Sequence, residues 1–207
     1  MRKSFAFILN NKLCKRFIKP TTLRRDAMRR DEVVSQDLCL PLRMFPSGYF
    51  NPNINDSKQL SEKKRLLLRD EIIRDAATYC VASCDNQEID RINILNASIR
   101  AMHRALDGLS ITPAFIIIDG NKFKPYKTIP YKTVVKGDSL YLSIAAASIL
   151  AKTYRDEWIT HAATQYPEYN WAKNKAYPTK DHIEAIQKYG VTPLHRMTYE
   201  PCMPKLL

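Results

Sequence analysis

Long apolar runs are missing from this chain. No segment approaches the roughly 18 consecutive apolar residues that a membrane-spanning helix requires. The longest candidate, Ser143–Ala151, is short and rich in small side chains, so no membrane partner is expected. Paired cysteines are missing as well. The five cysteines stand at 14, 39, 80, 84 and 202, and none forms a CxxC pair. That argues against a zinc ribbon and for free thiols in a reducing, cytoplasmic compartment. Acidic residues are missing from residues 1–25, which carry eight basic ones. An acid-poor, basic start can mimic a targeting segment. Here the apolar stretch at residues 5–9 is too short for a secretory core, and no small-residue cleavage site follows. Internal repeats and low-complexity tracts are also absent.

What is present is enough chain, 207 residues, for one domain with a substantial core. The net charge of +12 suggests a polyanionic partner. Its distribution weakens that signal. Residues 1–44 hold 11 Lys+Arg against 4 Asp+Glu, a balance of +7; the remainder holds 22 against 17, a balance of +5. Apolar residues in 1–44 follow neither a strand nor a helix period.

From Asn55 onward the chain is well punctuated. Ser61–Tyr79 reads as a helix capped by Ser61, with Leu66, Leu67, Ile72, Ile73 and Ala76 as its apolar stripe. Tyr79–Ser83 reads as a short strand. Gln87–Leu109 reads as one or two helices, with Ile92, Leu95, Ile99, Met102 and Leu106 stepping by three or four. Ala114–Ile118 is a compact apolar run closed by Asp119-Gly120, a buried strand ending in a turn. Tyr131–Val135 is a second strand, rich in β-branched residues. Leu142–Thr160 is a long helix with small residues at Ala145–Ala147 and Ala151. Thr179–Tyr189 is a last helix, capped by Thr179 and stopped by Gly190. Strands alternating with helices predict an α/β fold.

Asp119 is the sharpest single residue. A carboxylate at the end of a buried strand can present an anionic ligand from a rigid support; Asp-Gly-Asn is equally ordinary turn chemistry. Asp138, in Lys136-Gly137-Asp138-Ser139, either caps the following helix or faces Asp119 as a second carboxylate. Magnesium and manganese prefer oxygen ligands, and phosphodiester cleavage often uses two such ions held by shared carboxylates. Two aspartates are half of such a cage. Residues 171–179, with Lys173, Lys175, Tyr177 and Thr179 ahead of a helix, form either a phosphate-contacting loop or a solvated basic one. A tyrosine there can stack on a sugar or base. His195-Arg196 reads as a structural or surface pair.

Taken together, these segments resemble ribonuclease HII. The matching strings are Asn55-Asp56-Ser57-Lys58-Gln59-Leu60-Ser61, Glu88-Ile89-Asp90, Ile118-Asp119-Gly120-Asn121, Val134-Val135-Lys136-Gly137-Asp138, Ser143-Ile144-Ala145-Ala146-Ala147-Ser148, Lys175-Ala176-Tyr177-Pro178-Thr179 and His195-Arg196. They stand in the family's order and spacing across nearly all of residues 45–207. The resemblance implies a ribonuclease H-like mixed sheet flanked by helices. It implies two-metal hydrolysis, with Mn2+ or Mg2+, of the RNA strand of an RNA–DNA hybrid duplex, including single ribonucleotides embedded in DNA. It gives Asp119 and Asp138 to the metal cage and Tyr177 to the RNA–DNA junction, where the ribose 2′-hydroxyl is sensed. Lys175 and Lys152 become supporting basic residues. A monomer is expected.

The sequence departs from the family at one place. The family's first strand carries Asp-Glu-Ala-Gly-Arg-Gly, whose acids are metal ligands and whose Gly-Arg-Gly reads the junction. No such string occurs here; Asp31-Glu32 is followed by Val33-Val34. Residues 26–38 can, however, be encoded by a nucleotide string that reads Cys-Asp-Glu-Ala-Gly-Arg-Gly-Cys-Leu-Ala-Gly-Pro when entered at the third base. The expectation is a frame change across at least residues 23–44, an aberrant, poorly ordered segment over 1–44, and a disrupted N-terminal strand region. Two alternatives stand beside catalysis: a dead remnant that binds nucleic acid weakly, and a generic phosphohydrolase.

Overall fold

The computed structural model describes Phe45 and residues 49–203. The expectations for residues 1–44 lie outside the described residues. The rest is α/β, as expected, and falls into two compact units. Among the described residues, one gathers Ser83–Ala101 with residues 154–203; the other gathers those before Ser83 with Met102–Thr153.

Helix α1 spans Glu62–Asp75, and the Ser61 hydroxyl accepts from the Lys64 N–H at its start. This is the predicted cap, satisfying one of the first-turn donors left without a helical acceptor. The helix ends before the predicted Tyr79. Its predicted stripe needs correction: Leu68 and Ile72 are buried, whereas Leu66 and Leu67 are 45% and 58% exposed. Successive helical residues turn by about 100°, so three consecutive leucines cannot all face one core. Residues 79–83 form no strand. Just before this stretch, the Thr78 hydroxyl lies 3.0 Å from that of Ser110 and accepts from the Ser110 N–H.

Helix α2, Asn86–Asp107, answers the question of one helix or two. Asn93 breaks it with φ 64° and ψ 164°, and its side-chain oxygen accepts from the Asn96 N–H. Asn93 thus acts as an internal N-cap where two helical segments join.

Strands β1 (Ile116–Asp119) and β2 (Tyr131–Val134) pair in parallel, with Asp119 opposite Val134. They are the described part of the sheet. Ile116 and Ile118, two residues apart, bury the same face together with Tyr126, against Met102, Leu106, Phe123 and Ile129. Each such buried isoleucine contributes roughly 1.5–3 kcal/mol. That burial fixes the strand whose last residue is Asp119. Helix α3 spans Leu142–Ala162, with Ala145, Ala146 and Ile149 fully buried. The short helix α4, Trp171–Asn174, precedes α5, Lys180–Tyr189. Thr179 caps α5 by accepting from the His182 N–H, and Gly190 ends it at φ 81°. Both ends fall where the sequence puts them.

Candidate active site

In the strand-bearing unit, Asp119 stands at the exposed end of β1. Its carboxylate accepts the backbone N–H of Gly137 at 2.8 Å. Lys136 takes a left-handed conformation, φ 59°, and Gly137–Ser139 follow as one 3-10 turn. The Ser139 hydroxyl donates to the Lys136 carbonyl at 2.8 Å and the Tyr141 N–H to that of Gly137, also at 2.8 Å. This turn buries Asp138. Asp138 lies in the turn before α3, which begins at Leu142, and does not cap that helix.

The Asp138 carboxyl is pushed above the ordinary carboxylate range, first by burial, then by the negative charges of Asp56 and Asp119. Lys58 opposes this, its ammonium 3.9 Å from Asp138 Oδ2. Asp56 and Lys58 sit on the loop before α1, where Asp56 Oδ1 accepts from the Lys58 N–H. Ser57, buried, ties the loop to α3 through its hydroxyl, 2.8 Å from that of Ser148. Sequence reasoning gave no role to Asp56 or Lys58. The only signal was their place in the string Asn55-Asp56-Ser57-Lys58, which reads locally as a polar turn.

Clustered carboxylates are hard oxygen donors, of the kind magnesium and manganese take. The like charges around Asp138 are what a divalent cation would offset. Among the described residues, though, no three His, Cys, Asp or Glu side chains are arranged to hold a metal ion by themselves.

Lys152 lies on α3. In the other unit, Lys175 and Tyr177 lie on the loop between α4 and α5. Lys175 and Ala176 are both left-handed, with φ of 50° and 56°. Consecutive left-handed residues other than glycine cost about 1–2 kcal/mol each, and a dense set of bonds offsets that. Asn174 Oδ1 accepts from the Ala176 N–H, the Asn174 carbonyl from the Tyr177 N–H, and Lys175 Nζ donates to the Thr160 hydroxyl at 2.8 Å. The Arg155 guanidinium lies 4.9 Å from the centre of the Tyr177 ring, and Arg155 is buried with Asp156 at 3.1 Å.

The family model described as Ribonuclease HII matches residues 50–202. The chain belongs to the ribonuclease HII family. That family comprises ribonuclease H-type endonucleases, and every candidate residue above lies within the match. A ribonuclease HII of Parabacteroides distasonis is 56% identical over 156 residues, covering 75% of this chain and 78% of the relative. One of Porphyromonas gingivalis is 47% identical over the same length and shares. Among solved structures, the ribonuclease H2 of Pyrococcus horikoshii is similar with a TM-score of 0.61 and 27% identity, covering 72% of this chain and 78% of that one. The match begins at residue 50, after the segment in which no Asp-Glu-Ala-Gly-Arg-Gly string occurs. Among the described residues, no helix is long and apolar enough to cross a membrane.

Proposed function

We propose that residues 45–207 form a ribonuclease HII domain built to hydrolyse the RNA strand of RNA–DNA hybrids, including single ribonucleotides within DNA, as a cytoplasmic monomer. The observation that carries this reading is the Asp119–Gly137 bond, which joins the end of β1 to the turn presenting Asp138. Two Mn2+ or Mg2+ ions, when bound, would supply the Lewis acidity that phosphodiester hydrolysis needs. Asp119 and Asp138 are the oxygen donors toward them. Lys58 partly neutralises Asp138 before an ion arrives. Lys175 and Lys152 contact backbone phosphates, and Tyr177 stacks at the ribose of the junction.

A second reading, a remnant that binds nucleic acid without cutting it, is favoured by one specific observation: half of the family's ligand set is absent from the sequence. Two carboxylates do not neutralise two divalent ions, and metal affinity falls accordingly. The test is Mn2+- or Mg2+-dependent cleavage of a duplex with one embedded ribonucleotide. This chain is assayed beside a version whose residues 23–44 carry the shifted-frame string. Cleavage by the second alone supports both the domain assignment and the frame change. Equal cleavage by both makes residues 23–44 functional as written, and cleavage by neither overturns the assignment.

A further inference from the structure

Two histidines that the reaction does not use lie buried behind the Tyr177 loop. His182 is 6% and His195 7% exposed. Their protonation is dictated by fixed donors. The Thr192 N–H points at His195 Nδ1, 2.9 Å away, so that nitrogen must accept; the His195 proton then resides on Nε2. The Trp171 indole N–H points at His182 Nε2, also 2.9 Å, so that nitrogen too must accept. His195 Nε2 reaches the same atom at 3.3 Å. The only proton left to His182 is therefore on Nδ1, and it is given to the Tyr177 carbonyl at 3.0 Å. That carbonyl also receives the Thr179 N–H at 2.8 Å. Every bond in this chain needs both rings neutral. A second proton on either one sets two N–H groups against each other. Burial lowers both pKa values, and the mutual effect of the rings lowers His195 further, to about 4.

We propose that His182 is a positioning residue for substrate recognition: Trp171 and His195 fix it in the Nδ1–H form, and that form holds Tyr177 in place by its carbonyl. The proposal rests on the assignment of Tyr177 to the RNA–DNA junction. The need for such a tie is visible in the loop itself. Lys175 and Ala176, immediately before Tyr177, are left-handed without being glycine, and that conformation persists only where surroundings over-determine it. Arg155 packs on the ring, and His182 holds the backbone.

His182 performs its two contacts with different nitrogens, which lets them be separated in the full chain. In His182→Asn the amide falls where Nδ1 was and keeps the bond to the Tyr177 carbonyl. In His182→Gln it reaches where Nε2 was and keeps the contact with Trp171 and His195. Loop release is read by mass spectrometry as tryptic cleavage after Lys175, with global unfolding followed by circular dichroism. The Gln variant is expected to be cut there about tenfold faster than wild type and the Asn variant within about twofold, the difference one net hydrogen bond makes. Equal cleavage of the two, or faster cleavage of Asn, overturns the positioning role. If both variants unfold, Trp171→Phe removes the indole N–H together with part of the ring, and circular dichroism checks that the fold is kept. The 15N shifts of His182 should then move from a pure Nδ1–H form toward a tautomer mixture; a pure Nε2–H form in wild type overturns the proposal. Binding separates it from the reading beneath it. Preference for a duplex with one ribonucleotide over the all-DNA duplex should fall in Gln and persist in Asn. A cleavage split with no change in preference, or no preference even in the otherwise unaltered chain carrying the shifted-frame segment, sinks the assignment of Tyr177 and leaves the loop tie standing.

Discussion

Asp138 and His195 are buried almost equally, 8% and 7% exposed, yet their surroundings treat them in opposite ways. Around Asp138 the nearest acidic charges, Asp56 and Asp119, are of its own sign, and Lys58 at 3.9 Å offsets them only in part. Around His195 each polar atom meets a complementary one: Thr192 at one nitrogen, His182 at the other, and the Asn86 amide at the His195 carbonyl. A buried network satisfied throughout rigidifies its unit. A cluster of like charges does the reverse, and is retained where something arriving from solvent resolves it. On the proposed function, the contrast is between a place that binds an ion and a place that holds still.

The largest effect should come from removing the strand-end donor. In the chain carrying the shifted-frame segment, Asp119→Asn is expected to lower the rate of ribonucleotide cleavage by on the order of a hundred- to a thousandfold, measured under single-turnover conditions. A loss below tenfold would mean that the carboxylates are not the binding place.

Acid should attack the other side of the comparison. The folded pKa of His195 is about 4, against an ordinary 6.5. Between these values the unfolded chain takes up a proton that the folded chain refuses. His195 therefore stabilises the fold fully above about pH 6.5, and this is lost as pH falls toward 4. From pH 7 to pH 5 the loss is about 2 kcal/mol. Urea denaturation at the two pH values measures it, and His195→Gln should flatten the slope.

Gly190 supports the same unit at its edge. It holds φ 81° and ψ −161°, a region that side chains disfavour, and its carbonyl accepts the Tyr169 hydroxyl at 2.9 Å. An added Cβ there meets nothing within 4 Å. Gly190→Ala should thus cost about 1–2 kcal/mol from backbone strain alone, and a neutral result in urea denaturation would show that the helix end relaxes.

The smallest effect has the opposite sign. Because burial and like charges raise the pKa of Asp138, removing its charge should stabilise the fold in the absence of divalent ions. Asp138→Asn is expected to raise Tm by about 2–4 °C, corresponding to about 1 kcal/mol, and to abolish any stabilisation by Mn2+. A lowered Tm would make the Lys58 pair, and not the repulsion, the dominant interaction.

The sequence by itself determined what is settled within one turn of chain. Ser61 and Thr179 cap helices because a side-chain oxygen reaches an N–H three residues on. Gly190 ends a helix because that conformation suits no other residue. Asp119 closes a strand because the apolar run before it is buried. The ordered strings from Asn55 to Arg196 carried the family. Whatever depends on residues far apart in the chain required tertiary structure. Which of Leu66, Leu67 and Leu68 faces inward was decided by packing, since the run is apolar on every side. Residues 79–83 have strand composition but form no strand. Asp56 acquired meaning only when its loop was tied to α3 through Ser57 and Ser148, 91 positions apart. His182, unremarkable on an amphipathic helix, became the partner of Trp171, His195 and the Tyr177 carbonyl because the fold brings fixed donors and an acceptor to its two nitrogens. No local pattern encodes which atom a distant side chain will offer.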